Sequence, residues 1–428
     1  MVTFWDRIRS SAFLKDGAWL VAANAGSAGF GFLTLLLISR TLGPDRFGVF
    51  STASAVLMLI LEMSDLGINS GLIRFTTPLL ARGEHARAAD VLGLAARSRV
   101  VISVVVTVTG LLSSQFLAKQ VFHSLSLKPL IDQAFIGFIP VMLLSLLGAV
   151  LQAHQRFRAF SATNLISGAV KLLLVFILLC AHRLTPASSL WAIIIGPAVG
   201  AVAAWIMIPK GTVRFGKADS DLAAQLRTFS GWMTVWALAI SLLSRLDTLM
   251  LQRSLGALSV GIYSAGFQLA YAFTLVVTAF GTVLTPRITT LSTEQLRQIF
   301  SRFWQYAALV GALALIVIAA GSLLVPSLFG EKYLASIPIF RLIMVGQFFY
   351  GLSIIPDGIL YAMNRPVIFA TNAVIQLILK YALNLWLIPR YGVQATGFSF
   401  IAVNLLAVAL PFFYLVIYFK RHPNERTT

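Results

Sequence analysis

The sequence predicts an all-α integral membrane protein of about twelve transmembrane helices. Of its 428 residues, 58% are apolar and only 11% are charged, less than half the charged share of a soluble domain. Apolar runs of about 20 residues, the length that crosses a bilayer, recur along the chain. This composition excludes a soluble globular protein and a disordered chain, and the single cysteine, Cys180, excludes a disulfide scaffold.

Separating the apolar runs at charged breaks gives the candidate spans. They cover residues 17–38, 47–72, 100–118, 134–153, 160–180, 189–208, 229–251, 260–286, 303–328, 337–361, 366–388 and 395–419. The preceding residues 1–16 mix three basic side chains with aromatic ones, which predicts an interfacial helix followed by a retained span.

The distribution of Lys and Arg gives the orientation. The termini and alternate loops on one side hold 21 of these residues, the opposite side holds 8, and the remaining 4 lie inside spans. Because cytoplasmic loops carry the basic excess, we expect both termini in the cytoplasm. The same bias explains the net charge of +18, so we expect no nucleic-acid partner.

An internal repeat divides the spans into six and six. At an offset of 213 residues, Arg40-Thr41-Leu42-Gly43 aligns with Arg253-Ser254-Leu255-Gly256, and Gly48 aligns with Gly261. At an offset of 209, Lys171 aligns with Lys380. Six is even, so both halves begin on the same side and the repeat is parallel. We predict helical bundles at 1–208 and 229–428, joined by a cytoplasmic linker at 209–228.

Several stretches resemble a known family. Residues 38–51 read ISRTLGPDRFGVFS, residues 65–74 read DLGINSGLIR, residues 152–157 read QAHQRF, and residues 255–264 read LGALSVGIYS. With the twelve spans and the repeat, they resemble the polysaccharide transporter family, the O-antigen-type flippases of the multidrug/oligosaccharidyl-lipid/polysaccharide (MOP) exporter superfamily.

The resemblance implies a MATE-like, V-shaped pair of six-helix bundles in the bacterial inner membrane. By alternating access, they would move undecaprenyl-pyrophosphate-linked oligosaccharide, an O-antigen, capsule or exopolysaccharide unit, from the cytoplasmic to the periplasmic leaflet. It further implies coupling to protons or sodium, and a polysaccharide polymerase and chain-length regulator as partners. A lipid II flippase and a drug/cation antiporter of the same superfamily stay open as alternatives.

A membrane-embedded glycan-processing enzyme is the alternative from a different class. It would need catalytic carboxylates on a sizeable aqueous loop, and the longest predicted loop has only about 27 residues. After the stretch from Gly211 to Lys217, Ala218 stands where a phosphate-binding loop has the Ser or Thr that binds magnesium. The histidines show no metal-ligand spacing. We therefore expect no enzymatic activity, no cofactor and no metal site.

Charged side chains inside the spans are the candidate functional residues, because each costs about 2.5–3.5 kcal/mol at the centre of a lipid-facing helix. They are Glu62, Asp65, Lys171, Arg245, Asp247, Arg341, Asp357 and Lys380. The candidates for a substrate cavity are Lys171, Lys380, Arg245 and Asn24. Glu62 and Asp65, three residues apart on one helical face, are candidates for sensing the coupling ion. Asp247, Asp357 and Arg341 are candidates for a structural or cavity-lining polar role.

Lys171 and Lys380 occupy equivalent repeat positions near the predicted midplane. We expect both to line one cavity and attract the pyrophosphate. The competing interpretation pairs each lysine with a carboxylate of its own half. This pairing is plausible for Lys171, because Glu62 and Asp65 belong to the same half. It is less plausible for Lys380, because Asp247 and Asp357 of its half are predicted away from mid-span.

Overall fold

The computed structural model describes residues 11–209, 212, 220–288, 291, 293–363 and 366–421. Within these residues the chain forms α-helices, short π and 3₁₀ turns, and no β-strand. The helices are α1 (Ser11–Asp65), α2 (Ile68–Ala81), α3 (His85–Phe116), α4 (Lys128–Ala153), α5 (Phe157–Cys180), α6 (Pro186–Met207), α7 (Ser220–Leu255), α8 (Ala257–Ile288), α9 (Thr293–Ser301), α10 (Phe303–Phe329), α11 (Ser336–Ala362), α12 (Pro366–Tyr391) and α13 (Gln394–Arg421).

The helices confirm the predicted number of crossings. Among the described residues, 10 helices are long and apolar enough to span a membrane. The first of these, Ala23–Asp65, turns at Gly43, whose φ of 71° only glycine adopts readily, and accounts for two crossings. The 36-residue α7, which carries Arg245 and Asp247, covers the seventh predicted span, 229–251.

Two predicted boundaries are wrong. The second predicted span, 47–72, ends at Asp65, because Leu66 and Gly67 are left-handed at φ 48° and 68° before α2 begins. The third, predicted from residue 100, begins at His85. Its first turns carry Arg87, Asp90 and Arg97, so hydropathy alone assigns them to a loop although they are helical.

The chain divides into two compact units. The first contains the described residues up to Leu42 together with Ala53–Leu238, and the second contains Gly43–Thr52 and the described residues from Ala239 onward. The division predicted from the sequence, with the first bundle ending at residue 208, placed residues 43–52 in the first half. Most of the predicted linker at 209–228 and most of the predicted interfacial helix at 1–16 lie outside the described side chains.

The Gly43–Thr52 segment belongs to the second unit because it packs backbone to backbone on α8. A Cβ at Gly48 would collide with the carbonyl of Ala257, and a Cβ at Gly261 would collide with the carbonyl of Pro44. The 213-residue offset makes Ala257 the equivalent of Pro44 and Gly261 the equivalent of Gly48. The repeat motif therefore marks a contact between its own two copies.

In the first unit, small residues bring α5 close to its neighbours. A Cβ at Gly200 would approach the carbonyl oxygen of Thr163 to 3.1 Å, and one at Gly196 would approach that of Ser167 to 2.7 Å. On the α1 side, a Cβ at Gly168 would lie 3.2 Å from the side chain of Phe30. Helix α5, which carries Lys171, is thus held between α1 and α6.

Candidate functional site: buried charges in each unit

In the second unit, one carboxylate gathers three donors from two neighbouring helices. Asp247 of α7 lies 2.7 Å from the Lys380 ammonium of α12 through Oδ2. The same oxygen accepts a hydrogen bond from the Tyr263 hydroxyl of α8 at 2.9 Å, and Oδ1 accepts one from Nδ2 of Asn384 at 2.7 Å. All four residues are buried. The cluster ties α7, α8 and α12 together.

Lys380 is fully engaged in this cluster. It also donates to the carbonyl oxygen of Leu243 at 3.0 Å, its Nζ lies 5.4 Å from the centre of the Phe400 ring, and only 3% of the residue is exposed. The structure therefore shows Lys380 paired with a carboxylate of its own half. Asp247 lies eight residues before the end of α7 and Lys380 eleven before the end of α12, a depth difference of about 4–5 Å that a lysine side chain bridges.

Arg245 lies two residues from Asp247, so its side chain leaves α7 in a different direction. It is half-buried, and its Nε has no hydrogen-bond partner, although the residue does make contacts of its own.

In the first unit, the acidic candidate Asp65 pairs with Arg99 of α3, a residue that the sequence interpretation left in a loop. The Arg99 Nη1 donates to the carbonyl oxygen of Ser64 at 2.7 Å and lies 3.5 Å from Oδ1 of Asp65. Arg99 is 1% exposed, and its Nε and Nη2 have no hydrogen-bond partner in the described structure. A buried guanidinium thus stands at the break between α1 and α2.

A sequence signal for Arg99 did exist. Arg99, Ser103, Thr107, Gly110 and Ser114 recur at helical spacing, and all are buried on one face of α3. A continuous polar stripe on a membrane helix indicates a face turned to protein. The signal was missed because Arg99 directly precedes the apolar run that was used to begin the span.

Glu62 is half-buried one turn before Asp65 at the end of α1. Glu62 makes contacts of its own, and the Asp65 side chain is 25% exposed although its Oδ1 is buried. One turn beyond the break, Nδ2 of Asn69 donates to the hydroxyl of Ser145 on α4 at 2.9 Å, which fixes α2 against α4.

Lys171 differs from Lys380 in having no polar partner among the side chains that the structure describes. It is half-buried on the stripe of α5 that also carries buried Ser167, Gly168 and Val175. Its aliphatic stem packs on α6, where a Cβ at Gly196 would collide with its Cγ. It makes no hydrogen bond or ion pair with any residue that the structure describes, Glu62 and Asp65 included.

The remaining candidates lie apart from these clusters. Arg341 is exposed near the start of α11, and Asp357 is half-buried near the end of the same helix. Asn24 is exposed on α1. Across the described residues, no group of three or more His, Cys, Asp or Glu side chains could hold a metal ion.

Comparison with known proteins places this architecture in a family. Residues 13–292 match the family model described as polysaccharide biosynthesis protein, which covers more than half of the chain. The chain belongs to this family. The family resemblance inferred from the motifs is thereby confirmed.

Two relatives align with most of this chain. It is 24% identical over 423 residues to the putative O-antigen transporter of Shigella flexneri, a match that covers 94% of this chain and 98% of the relative. It is 23% identical over 402 residues to the probable low-salt glycan biosynthesis flippase of Haloferax volcanii, with 90% and 80% covered.

Solved structures share the fold. An inward-facing multidrug resistance MATE family transporter of the MOP superfamily matches with a TM-score of 0.78 at 11% identity, over 92% of this chain and 95% of that one. The lipid II flippase MurJ in an inward closed conformation matches with a TM-score of 0.72 at 12% identity, over 93% and 87%. The MOP-type fold is therefore confirmed, and this family member is a multi-pass membrane protein.

Proposed function

We propose that this protein is a flippase that carries a polyprenyl-pyrophosphate-linked oligosaccharide across the inner membrane by alternating access. The direction is from the cytoplasmic to the periplasmic leaflet. The similarity to a putative O-antigen transporter along nearly the full length of both chains carries the proposal. The family match and the fold shared with a lipid II flippase support it. The cargo we propose is an O-antigen, capsule or exopolysaccharide unit on undecaprenyl pyrophosphate.

The charged groups buried in both units support transport of a polar cargo. Burying charge in a membrane protein is costly, and intramembrane ionisable residues mark substrate or ion pathways. Asp247 with Lys380 in the second unit and Asp65 with Arg99 in the first place such groups within both bundles.

The test is the distribution of lipid-linked glycan between leaflets. Deleting the gene should trap the oligosaccharide on the cytoplasmic leaflet, where a membrane-impermeant label reaches it in inverted vesicles but not in spheroplasts. The wild-type gene, reintroduced, should restore labelling of spheroplasts. An unchanged glycan distribution in the deletion strain refutes the proposal. Accumulated lipid II would instead identify a lipid II flippase, and drug sensitivity with normal glycan an antiporter.

We further propose that a proton or sodium gradient drives flipping and is sensed at Glu62 and Asp65. Asp65 is partly exposed and ends α1 directly before the left-handed Leu66 and Gly67, so a change of its charge acts at a helix break. In the leaflet assay, Glu62→Gln combined with Asp65→Asn should remove the dependence on an imposed gradient. If gradient dependence survives the double substitution, this coupling site is wrong.

A further inference from the structure

The two repeat-equivalent lysines have different electrostatic environments. Each lies fourteen residues after the first residue of its helix, Lys171 in α5 and Lys380 in α12. Lys380 is neutralised by Asp247 at 2.7 Å, whereas Lys171 has no partner among the described residues. The difference has a cause in the sequence of the helix packed beside each lysine.

The offset of 213 that aligns α1 with α7 places Thr34 at the position of Asp247. It also places Phe30 at the position of Leu243, whose carbonyl oxygen accepts from Lys380. The first half thus carries a neutral residue where the second half carries the counter-ion.

Packing in the first unit follows the same register. A Cβ at Gly26 would lie 3.1 Å from Leu165, and one at Gly168 would lie 3.2 Å from Phe30, so α1 and α5 advance in parallel. One further turn along both helices brings Thr34 level with Lys171. The first unit therefore has a neutral threonine on α1 at the level where the second unit has the carboxylate.

Thr34 provides no counter-ion for Lys171. Its hydroxyl donates to the carbonyl oxygen of Phe30, four residues earlier in its own helix, at 2.7 Å, and the residue is 2% exposed. The stem of Lys171 is held against Gly196 of α6, on the interior stripe of α5. An ammonium fixed inside a membrane helix bundle without a counter-ion attracts an anion that arrives from outside the protein.

We propose that the two lysines have separate roles: Lys171 binds the diphosphate of the lipid-linked substrate, and Lys380 holds its own helix bundle together. The neutral residue at position 34 keeps Lys171 available. A lysine suits a diphosphate that must slide past it, because the ammonium is a point charge without fixed bidentate geometry. This inference rests on the proposed flippase function.

The experiment supplies Lys171 with the counter-ion that Lys380 already has. Thr34→Asp should form the missing ion pair and reduce glycan translocation in the leaflet assay, whereas Thr34→Asn, matched in size but neutral, should not. Lys171→Ala should lower translocation by about tenfold or more, the value of one hydrogen bond to a charged group, while Lys171→Arg should retain most of it. Protein amounts in the membrane are measured for each variant.

A second measurement is independent of transport. Inorganic pyrophosphate should raise the thermal unfolding temperature of the purified wild-type protein and of Thr34→Asn, but not that of Lys171→Ala or Thr34→Asp. An undiminished pyrophosphate shift or undiminished translocation in Lys171→Ala overturns the assignment of Lys171. If the wild-type protein does not translocate glycan, the proposed function fails instead, and the pyrophosphate shift still decides whether Lys171 binds diphosphate.

Discussion

Asp247 illustrates how a single buried carboxylate is satisfied inside a membrane protein. Its two oxygens accept from an ammonium, a phenol and an amide, each on a different helix or a different turn. Removing one partner of such a pair is more damaging than removing both, because the remaining charge stays buried and uncompensated. Asp247 and Lys380 should therefore be strongly coupled in their effect on stability.

Asp247→Asn should destabilise the protein by about 3–5 kcal/mol, because it leaves the buried Lys380 ammonium unpaired while keeping the side-chain volume. Combining it with Lys380→Met should restore part of the loss. Thermal unfolding in detergent of both single variants and the double variant measures the coupling. Strictly additive effects would show that the ion pair does not contribute as the geometry implies.

At the scale of elements, the repeat brings its own two motif copies into backbone contact. Pro44 and Gly48 face Ala257 and Gly261, and both glycines lie where no side chain fits. The neighbouring Thr52 donates to the Gln252 side chain at 3.0 Å, and Phe47 packs on Tyr333 with ring centres 6.3 Å apart. These contacts hold the turn of α1 on the second unit.

Gly48→Ala and Gly261→Ala should each destabilise the protein by about 1–3 kcal/mol, because each added methyl collides with a backbone carbonyl that cannot rotate away. Gly29→Ala is the matched control in α1, since a Cβ there meets nothing within 4 Å. That change should be neutral or slightly stabilising, because glycine in a helix interior is less stable than alanine. Unfolding temperatures compare the three variants, and equal stability of all three would refute the close packing.

At the scale of the whole molecule, charge and crossing number together predict the orientation. Twelve crossings, an even number, predict that both termini lie on one side. The sequence assigns 21 Lys and Arg residues to the termini and loops on that side against 8 on the other, and moving Arg99 into α3 keeps the bias. A cytoplasmic location of both termini would place the N-terminal ends of α5 and α12 on the side from which the proposed substrate enters.

Reporter fusions test that orientation. A fusion at Thr428 should be active with a reporter that works in the cytoplasm and inactive with one that requires export. Fusions in the loop between α5 and α6 should show the opposite pattern. Export-dependent activity at Thr428 would reverse the assigned topology.

The sequence by itself determined the properties that depend on local composition. Apolar runs gave twelve crossings, the self-alignment gave the repeat, and the motifs gave the family. The self-alignment also identified Lys171 and Lys380 as equivalent. The crossings could be counted because bilayer thickness and helical rise fix how many apolar residues make one span.

Only the tertiary structure decided which charges meet. Asp65 pairs with Arg99, not with Lys171, and Lys380 pairs with Asp247, although hydropathy put Arg99 in a loop and Asp247 away from mid-span. The turn at Gly43 falls between two predicted spans, but the break at Leu66–Gly67 lies inside the predicted span 47–72 and was not predicted. Ion pairing depends on which helices are neighbours and on their relative depth to within about one turn, and a one-dimensional pattern specifies neither.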